Sequence, residues 1–284
     1  MKIAQLLEET SSQFAAAGIE SSQADAEILL GFVLGLSRGE VLAKAITGEE
    51  LSEADLEKFQ SLANKRAERF PLQHLTGVAY FRSLELEVGP GVFVPRFETE
   101  GVAQLAIDAV KALPMDEPLV VDLATGSGAI ALSIAHEIPN AKVYAVELSE
   151  AALEYTKRNF AKYAPEAVLR QGDLADAFAE LDGLVDVLIS NPPYIPDEMI
   201  PIYPEVHLHD PALALYGGAD GLDLVRKVDL SAKRLLRVGG TLIIEHAYSQ
   251  GEAIRGMLLA SGWKQVRTHK DLAGRDRAVS ALKL

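Results

Sequence analysis

From about residue 96 onward, runs that read as strands alternate with runs that read as helices, and this alternation restricts the fold more than any other feature. Strand-like segments lie at 119–123, 142–147, 168–170, 185–190, 241–246 and 263–266, with a seventh at 277–283. Helical segments at 129–135, 151–163, 223–236 and 250–260 fall between them. A chain patterned this way forms a mostly parallel α/β sheet with helices on both faces. No internal repeat or low-complexity segment interrupts it.

The first 70 residues differ. Ile3, Leu6, Leu7 and Phe14 recur at helical spacing, as do Ala24, Ile28, Leu29 and Phe32, with Asp25 and Glu27 expected on the polar side. Val41, Leu42 and Ile46 mark a third helix, and Leu51, Leu56, Phe59 and Leu62 a fourth. Ser21 and Ser52 are expected N-caps, the latter with Asp55 three residues on. Such short helices cannot bury their apolar faces singly, so 1–70 is expected to be a small bundle. It serves either as a stabilising appendage or as a docking platform. Residues 71–95 read as a β linker: 78–81 and 84–88 flank Arg82-Ser83, and Gly89-Pro90-Gly91 marks a turn. The large domain then occupies 96–284.

The run Val185 to Ser190 ends in Asn191-Pro192-Pro193-Tyr194. Prolines lack the N–H of a ladder, so the strand must stop there. The loop then presents Asn191, the Pro192 carbonyl and Tyr194 at the strand's carboxyl end, where open α/β sheets bind ligands. An Asn side-chain oxygen and a neighbouring carbonyl make two converging acceptors, suited to a primary amide or an exocyclic amine. An aromatic beside them can cover such a planar group. A plain turn with a surface Tyr is the alternative reading.

The loop Ala124-Thr125-Gly126-Ser127-Gly128 joins a strand to a helix. Glycines there let backbone approach a ligand closely. Glu147 ends the next strand, where an acidic side chain either bonds ribose hydroxyls or stays a solvated carboxylate at a helix start. After the third strand, Asp173 either caps a helix or reaches an adenine amine, and Leu174 either joins the core or covers the ring. Together these residues suggest an adenosine-type ligand.

Composition narrows the chemistry further. The chain has 284 residues, no cysteine and a formal charge of −14. Disulfides and thiolate metal sites are excluded. Non-specific nucleic-acid binding rests on Lys and Arg neutralising phosphates, so so acidic a chain is a poor general binder of nucleic acid. No run approaches a membrane span and the first residues lack a signal peptide's apolar core, so a cytoplasmic protein is expected. His207-Leu208-His209-Asp210 has the residue types of a metal site, but it falls in a long loop, and no metal is expected there. Trp263 and the methionines read as core.

Taken in order, Asp122-Leu123-Ala124-Thr125-Gly126-Ser127-Gly128, Glu147 and Asn191-Pro192-Pro193-Tyr194 resemble a class I S-adenosylmethionine-dependent methyltransferase acting on a planar nitrogen. Residues 93–100 (Phe-Val-Pro-Arg-Phe-Glu-Thr-Glu), 214–222, 245–251 and 271–277 resemble the signatures of the release factor glutamine N5-methyltransferases, the HemK/PrmC family. The resemblance implies a Rossmann-like seven-stranded domain behind a helical domain and β hairpin. It implies S-adenosyl-L-methionine as cofactor and class I peptide chain release factors as partners. The implied reaction methylates the amide nitrogen of the glutamine in a Gly-Gly-Gln motif, with Asn191, Pro192 and Tyr194 as catalytic residues and Pro193 also at the substrate. Ala124 to Gly128, Glu147, Asp173, Leu174 and Asn191 would bind cofactor. Three positions depart from the family pattern. Ala124 replaces a usual Gly, tolerable at negative φ. Phe97 replaces a second Pro, which should loosen its loop. Leu174 stands where some members carry an aromatic. Two other readings share parts of this pattern: a nucleic-acid amino-methyltransferase, and a catalytically silent adapter that binds through its helices.

Overall fold

A computed structural model describes residues 1–284. The first helices are α1 (Ile3–Ala16), α2 (Ser22–Leu34), α3 (Arg38–Thr47), α4 (Glu53–Ala67) and α5 (Leu72–Thr76). Next come β1 (Val78–Phe81), β2 (Leu84–Glu87), α6 (Phe97–Lys111), β3 (Leu119–Leu123), α7 (Ala129–Glu137), β4 (Lys142–Glu147), α8 (Glu150–Tyr163), β5 (Val168–Gln171) and β6 (Val185–Ser190). The rest comprises α9 (Pro204–His209), α10 (Ala212–Leu215), α11 (Asp223–Leu235), β7 (Leu236–Glu245), α12 (Gly251–Ala260), β8 (Lys264–Lys270) and β9 (Asp276–Leu282). The chain divides into two units, 1–78 with 201–209 and 79–200 with 210–284.

The first unit packs its helices around Phe14, Leu29, Leu30, Val41 and Phe59, all fully buried. Each such side chain contributes roughly 1.5–3 kcal/mol by leaving water. Ser52 caps α4 by accepting from the Asp55 N–H, as expected. Ser21 precedes α2, but its hydroxyl donates to the Asp25 carboxylate instead. The cap absent from the sequence reading is Ser37, which forms a reciprocal capping box with Glu40 at the start of α3.

The expected polar side of α2 is wrong. Asp25 and Glu27 are buried, while Ile28 and Phe32 are exposed. The acids turn inward because cations meet them. Arg66 of α4 donates to Asp25 at 2.8 Å, and Arg38 donates to Glu27. Arg66 also donates to Glu205 of α9 at 2.8 Å, and Arg69 does so at 2.6 Å. Arg66 and Arg69 hold 201–209 in the first unit although Glu205 lies 139 and 136 residues beyond them. The boundaries also shift. Helix α5 occupies part of the expected β linker and packs Leu72 and Leu75 on the bundle.

In the second unit the sheet order is β5-β4-β3-β6-β7-β9-β8. Neighbours from β5 to β7 pair parallel, and β9 runs antiparallel between β7 and β8. The expected seven-stranded, mostly parallel α/β sheet is therefore present. One core layer lies between the sheet and α6 and α7, and the other holds the apolar faces of α11 and α12. Strands β1 and β2 form their own hairpin. Asn159 of α8 clasps β2, donating to the Glu87 carbonyl and accepting from its N–H.

The sequence reading missed three further helices. Helix α6 precedes the first strand of the sheet, and α9 and α10 lie within the expected long loop. Strand β8 runs to Lys270, past the expected end at 266, because an edge strand tolerates polar residues such as Arg267 and Lys270 on its open side. Trp263 is buried and donates its Nε1–H to Asp229. Met1, Met115 and Met199 are exposed, so the methionines are not a core set.

Candidate active site

Strand β3 is where the sheet order turns, with β4 on one side and β6 on the other. Ligands in such sheets bind in the crevice beyond the carboxyl ends at that switch point. The registers Leu123 to Val146, Leu123 to Ser190 and Ser190 to Ile244 bring four strand ends level. The next residues outward form a row: Glu147, Ala124, Asn191 and Glu245. The Ser190 hydroxyl donates to the Leu123 carbonyl at 2.7 Å and fastens β6 to β3 at that level.

Beyond β3 the Gly-rich loop is held from three sides. Asp122 Oδ2 accepts from the Thr125 hydroxyl at 2.6 Å and from the Ala131 N–H of α7 at 3.2 Å. From α8, Thr156 donates to the Gly126 carbonyl and Asn159 to the Ser127 carbonyl. Glu147 accepts from the N–H groups of Gly126 and Ser149, both at 2.8 Å. Gly126 has φ +57°, and a Cβ there would meet no atom within 4 Å, so the loop opens at that point. Gly128 has φ +88°, and a Cβ there would strike Phe160 at 2.9 Å. Ala124 does not adopt the expected negative φ. It sits at +62°, in the left-handed region, because the chain must turn sharply out of β3 into the loop.

Burial shapes the charges. Asp122 is wholly buried and its Oδ1 has no partner. Desolvation pushes its carboxyl up to about 7, against the hydrogen bonds from Thr125 and Ala131. Desolvation likewise raises Glu147, opposed by backbone N–H groups. At the end of β5, Asp173 Oδ1 accepts from the Ala175 N–H and Oδ2 pairs with Lys227. Leu174 is buried in the core layer that also holds Val146 and Leu181.

The Asn-Pro-Pro-Tyr loop is clamped by parts of the chain that its sequence does not announce. Gln250 donates to the Tyr194 carbonyl at 2.8 Å. Gly221, at φ +74°, lies so close that a Cβ would fall 2.3 Å from that same oxygen. A Cβ on Gly217 would fall 2.6 Å from the Pro193 carbonyl. Gly217 and Gly221 therefore let this segment lie flat against the loop. Asn191 Nδ2 donates to Thr99 Oγ1 of α6 at 3.4 Å, and Thr99 donates to Glu245 Oε1 at 3.2 Å. The Tyr194 hydroxyl donates to the same Oε1 at 3.4 Å. Asn191 Oδ1 and the Pro192 carbonyl accept nothing from the chain.

Thr99 and Glu245 are the residues that sequence reasoning missed. Both lie in segments that carry the family resemblance, but an acid at a strand end reads as solvated. Here Glu245 is fully buried and desolvation pushes it up to about 7, against hydrogen bonding from Thr99 and the charge of Arg277. Phe97 begins α6 and is exposed, a position where Pro and most other residues fit equally well. His207, His209 and Asp210 do not converge. The His209 ring stacks on Phe70 at 4.0 Å, and Asp210 accepts from Arg96. No three His, Asp or Glu side chains gather as metal ligands. No helix is long and apolar enough to cross a membrane.

Residues 5–77 match the family model of the PrmC N-terminal domain, and 84–200 match that of the methyltransferase small domain. A solved structure of protein-(glutamine-N5) methyltransferase (release factor-specific) from Alicyclobacillus acidocaldarius aligns with 69% of this chain and 98% of its own, at 28% identity and TM-score 0.43. The release factor glutamine methyltransferase of Streptomyces coelicolor is 48% identical over 97% of this chain and 96% of its own. That of Bifidobacterium longum is 43% identical over 99% of this chain and all of its own. With identity this high along nearly the whole of both sequences, the chain belongs to the release factor glutamine methyltransferases.

Proposed function

We propose that the row at the carboxyl ends of β4, β3, β6 and β7 transfers a methyl group from S-adenosyl-L-methionine to the glutamine amide nitrogen in the Gly-Gly-Gln motif of class I release factors, in the cytoplasm. The observation that carries this reading is the shared level of the Gly-rich loop and Asn191 across the β3–β6 pair. Cofactor and acceptor amide then lie side by side.

The residues present fit the cofactor. Asp122 Oδ1 is a buried acceptor without a partner, suited to a cationic ligand. The loop 124–128 opens at Gly126, and each Glu147 oxygen keeps a lone pair for a ribose hydroxyl. Asp173 would take the adenine amine, with Leu174 against the ring. When bound, the cofactor supplies an electrophilic methyl group on a sulfonium.

The chain's task is to hold a poor nucleophile. An amide lone pair is delocalised into its carbonyl, so alignment must account for much of the rate. Asn191 Oδ1 and the Pro192 carbonyl accept the two amide N–H groups and turn the nitrogen's remaining face toward the methyl. Both acceptors also stabilise positive charge as it develops on nitrogen, which then gives up one N–H proton to solvent. Tyr194 and Pro193 cover the amide plane. Burial raises the Tyr194 phenol well above its ordinary value, so it stays protonated and does not act as the base.

The test is mass measurement on intact release factor after incubation with enzyme and cofactor. Wild type should add one methyl group at the glutamine. Asn191→Ala should add none, while calorimetry shows cofactor affinity little changed. Near-normal turnover by that variant would remove Asn191 from the mechanism.

A further inference from the structure

Asn191 can present either end of its amide to substrate, and only one end works. Oδ1 outward offers an acceptor to the substrate N–H groups. Nδ2 outward sets donor against donor. Nothing in Asn-Pro-Pro-Tyr itself decides between them.

The surroundings do. Glu245 is fully buried at the end of β7, and its Oε1 accepts from both the Thr99 and Tyr194 hydroxyls. An ionised carboxylate can only accept. Thr99 has a single hydroxyl proton, and Glu245 takes it. The Thr99 oxygen can then only accept from its other neighbour, the Asn191 amide at 3.4 Å. Only Nδ2 of that amide can donate, so Oδ1 must face the crevice. We propose that Glu245 is a positioning residue that acts through Thr99 to fix the polarity of the Asn191 amide, and through Tyr194 to hold the phenol beside it. The inference rests on the role given to Asn191 above and adds what makes that role possible.

Protonation would undo the device. A Glu245 that carries its proton on Oε1, instead of on the partnerless Oε2, donates to Thr99, which then donates to Asn191 and favours the reversed amide. The groups facing Glu245 are Glu98 on α6, Arg277 on β9 and Tyr194 beyond β6. Arg277 favours the ionised form and Glu98 opposes it. With Glu245 pushed up to about 7, the reversal falls within an accessible pH range.

The experiment uses the full chain, intact release factor and saturating S-adenosylmethionine. Thr99→Val removes the hydroxyl and keeps the branched shape. It should lower kcat about ten- to a hundredfold, the size of a lost buried hydrogen bond. KM for release factor and affinity for cofactor should stay within about threefold of wild type, a range well below that loss. Thr99→Ser should recover most of the lost kcat. Wild-type kcat should fall as pH drops through about 7, and Glu245→Gln should be slower and lack that acidic limb. The inference is overturned if Thr99→Val keeps kcat within about twofold of wild type, a change too small for a lost hydrogen bond. It is also overturned if Thr99→Ser is as slow as Thr99→Val, if Thr99→Val loses cofactor affinity in proportion to kcat, or if Glu245→Gln keeps the wild-type limb. Asn191→Ala run in parallel separates the two readings. An active Asn191→Ala defeats the role of Asn191 itself, whereas an active Thr99→Val beside an inactive Asn191→Ala defeats only the orienting chain.

Discussion

Ala124 shows how a single backbone angle can matter at a site. A non-glycine residue in the left-handed region costs about 1–2 kcal/mol, part of which glycine gives back as chain entropy when the protein unfolds. Ala124→Gly should therefore stabilise the protein by about 0.5–1 kcal/mol in urea unfolding. No gain would mean that neighbouring contacts relieve the strain at +62°. Glu147 gives a second residue-scale expectation. Replacing it with Ala should weaken S-adenosylmethionine binding about ten- to a hundredfold by calorimetry, the equivalent of a hydrogen bond to a charged acceptor. Unchanged affinity would refute the ribose role. The places of these residues were legible because each sits at a fixed point in a strand–loop–helix pattern. The sign of φ at Ala124 was not, since it depends on how β3 turns into α7. Glu245 was not legible either. Only the burial supplied by α6, β6 and β9 distinguishes it from a solvated acid.

At the scale of elements, periodicity located α1 to α4 but not the rotation of α2. Hydrophobicity treats Asp25 as an outward residue. In the fold, Arg66 lies 41 residues further along the chain and pairs with it in a buried setting. No local pattern contains that partner. Removing one half of a buried ion pair leaves the other charge uncompensated, typically at about 3–5 kcal/mol. Arg66→Ala strands Asp25, while Glu205 keeps Arg69, so it should destabilise the helical unit by about that order. Urea unfolding followed by helix content would show this as an earlier transition. A loss under about 1 kcal/mol would mean that the pair behaves as a solvent-exposed one. The second unit was easier to read because alternating strands and helices constrain topology as well as type. Helices α9 and α10 were hidden because they are short and fall among prolines.

At the scale of the whole molecule, buried acids set the response to pH. Burial raises Asp122 and Glu245 to about 7 and Asp210 to about 6. Between about pH 4 and 7 the folded chain keeps protons on these groups that the unfolded chain releases, so stability falls as pH rises. Hydrogen bonding from Arg82 lowers Glu137, whose contribution is instead lost on acidification, and burial lowers His246 and His269, which oppose the acids as pH falls below 6.5. Thermal unfolding should accordingly occur at higher temperature near pH 5.5 than at pH 8, and the reverse order would contradict the burial of these carboxyls. The helical unit poses a different question. A glutamine side chain is small, so specificity for intact release factor needs contact remote from the chemistry. Deleting residues 1–70 should leave S-adenosylmethionine binding while slowing methylation of release factor far more than of a Gly-Gly-Gln peptide. Equal proportional losses would assign the unit to stability. The order of the sheet carries a consequence for synthesis. Strand β9 follows β8 in the chain but lies between β8 and β7. During translation, β8 emerges with no strand to join and must wait for the stretch behind it. Until that stretch is released, β7 stays bare along one side and Arg277 is missing from beside Glu245. A nascent chain halted at residue 275 would carry both sequence motifs of the site, yet its sheet would end at β7.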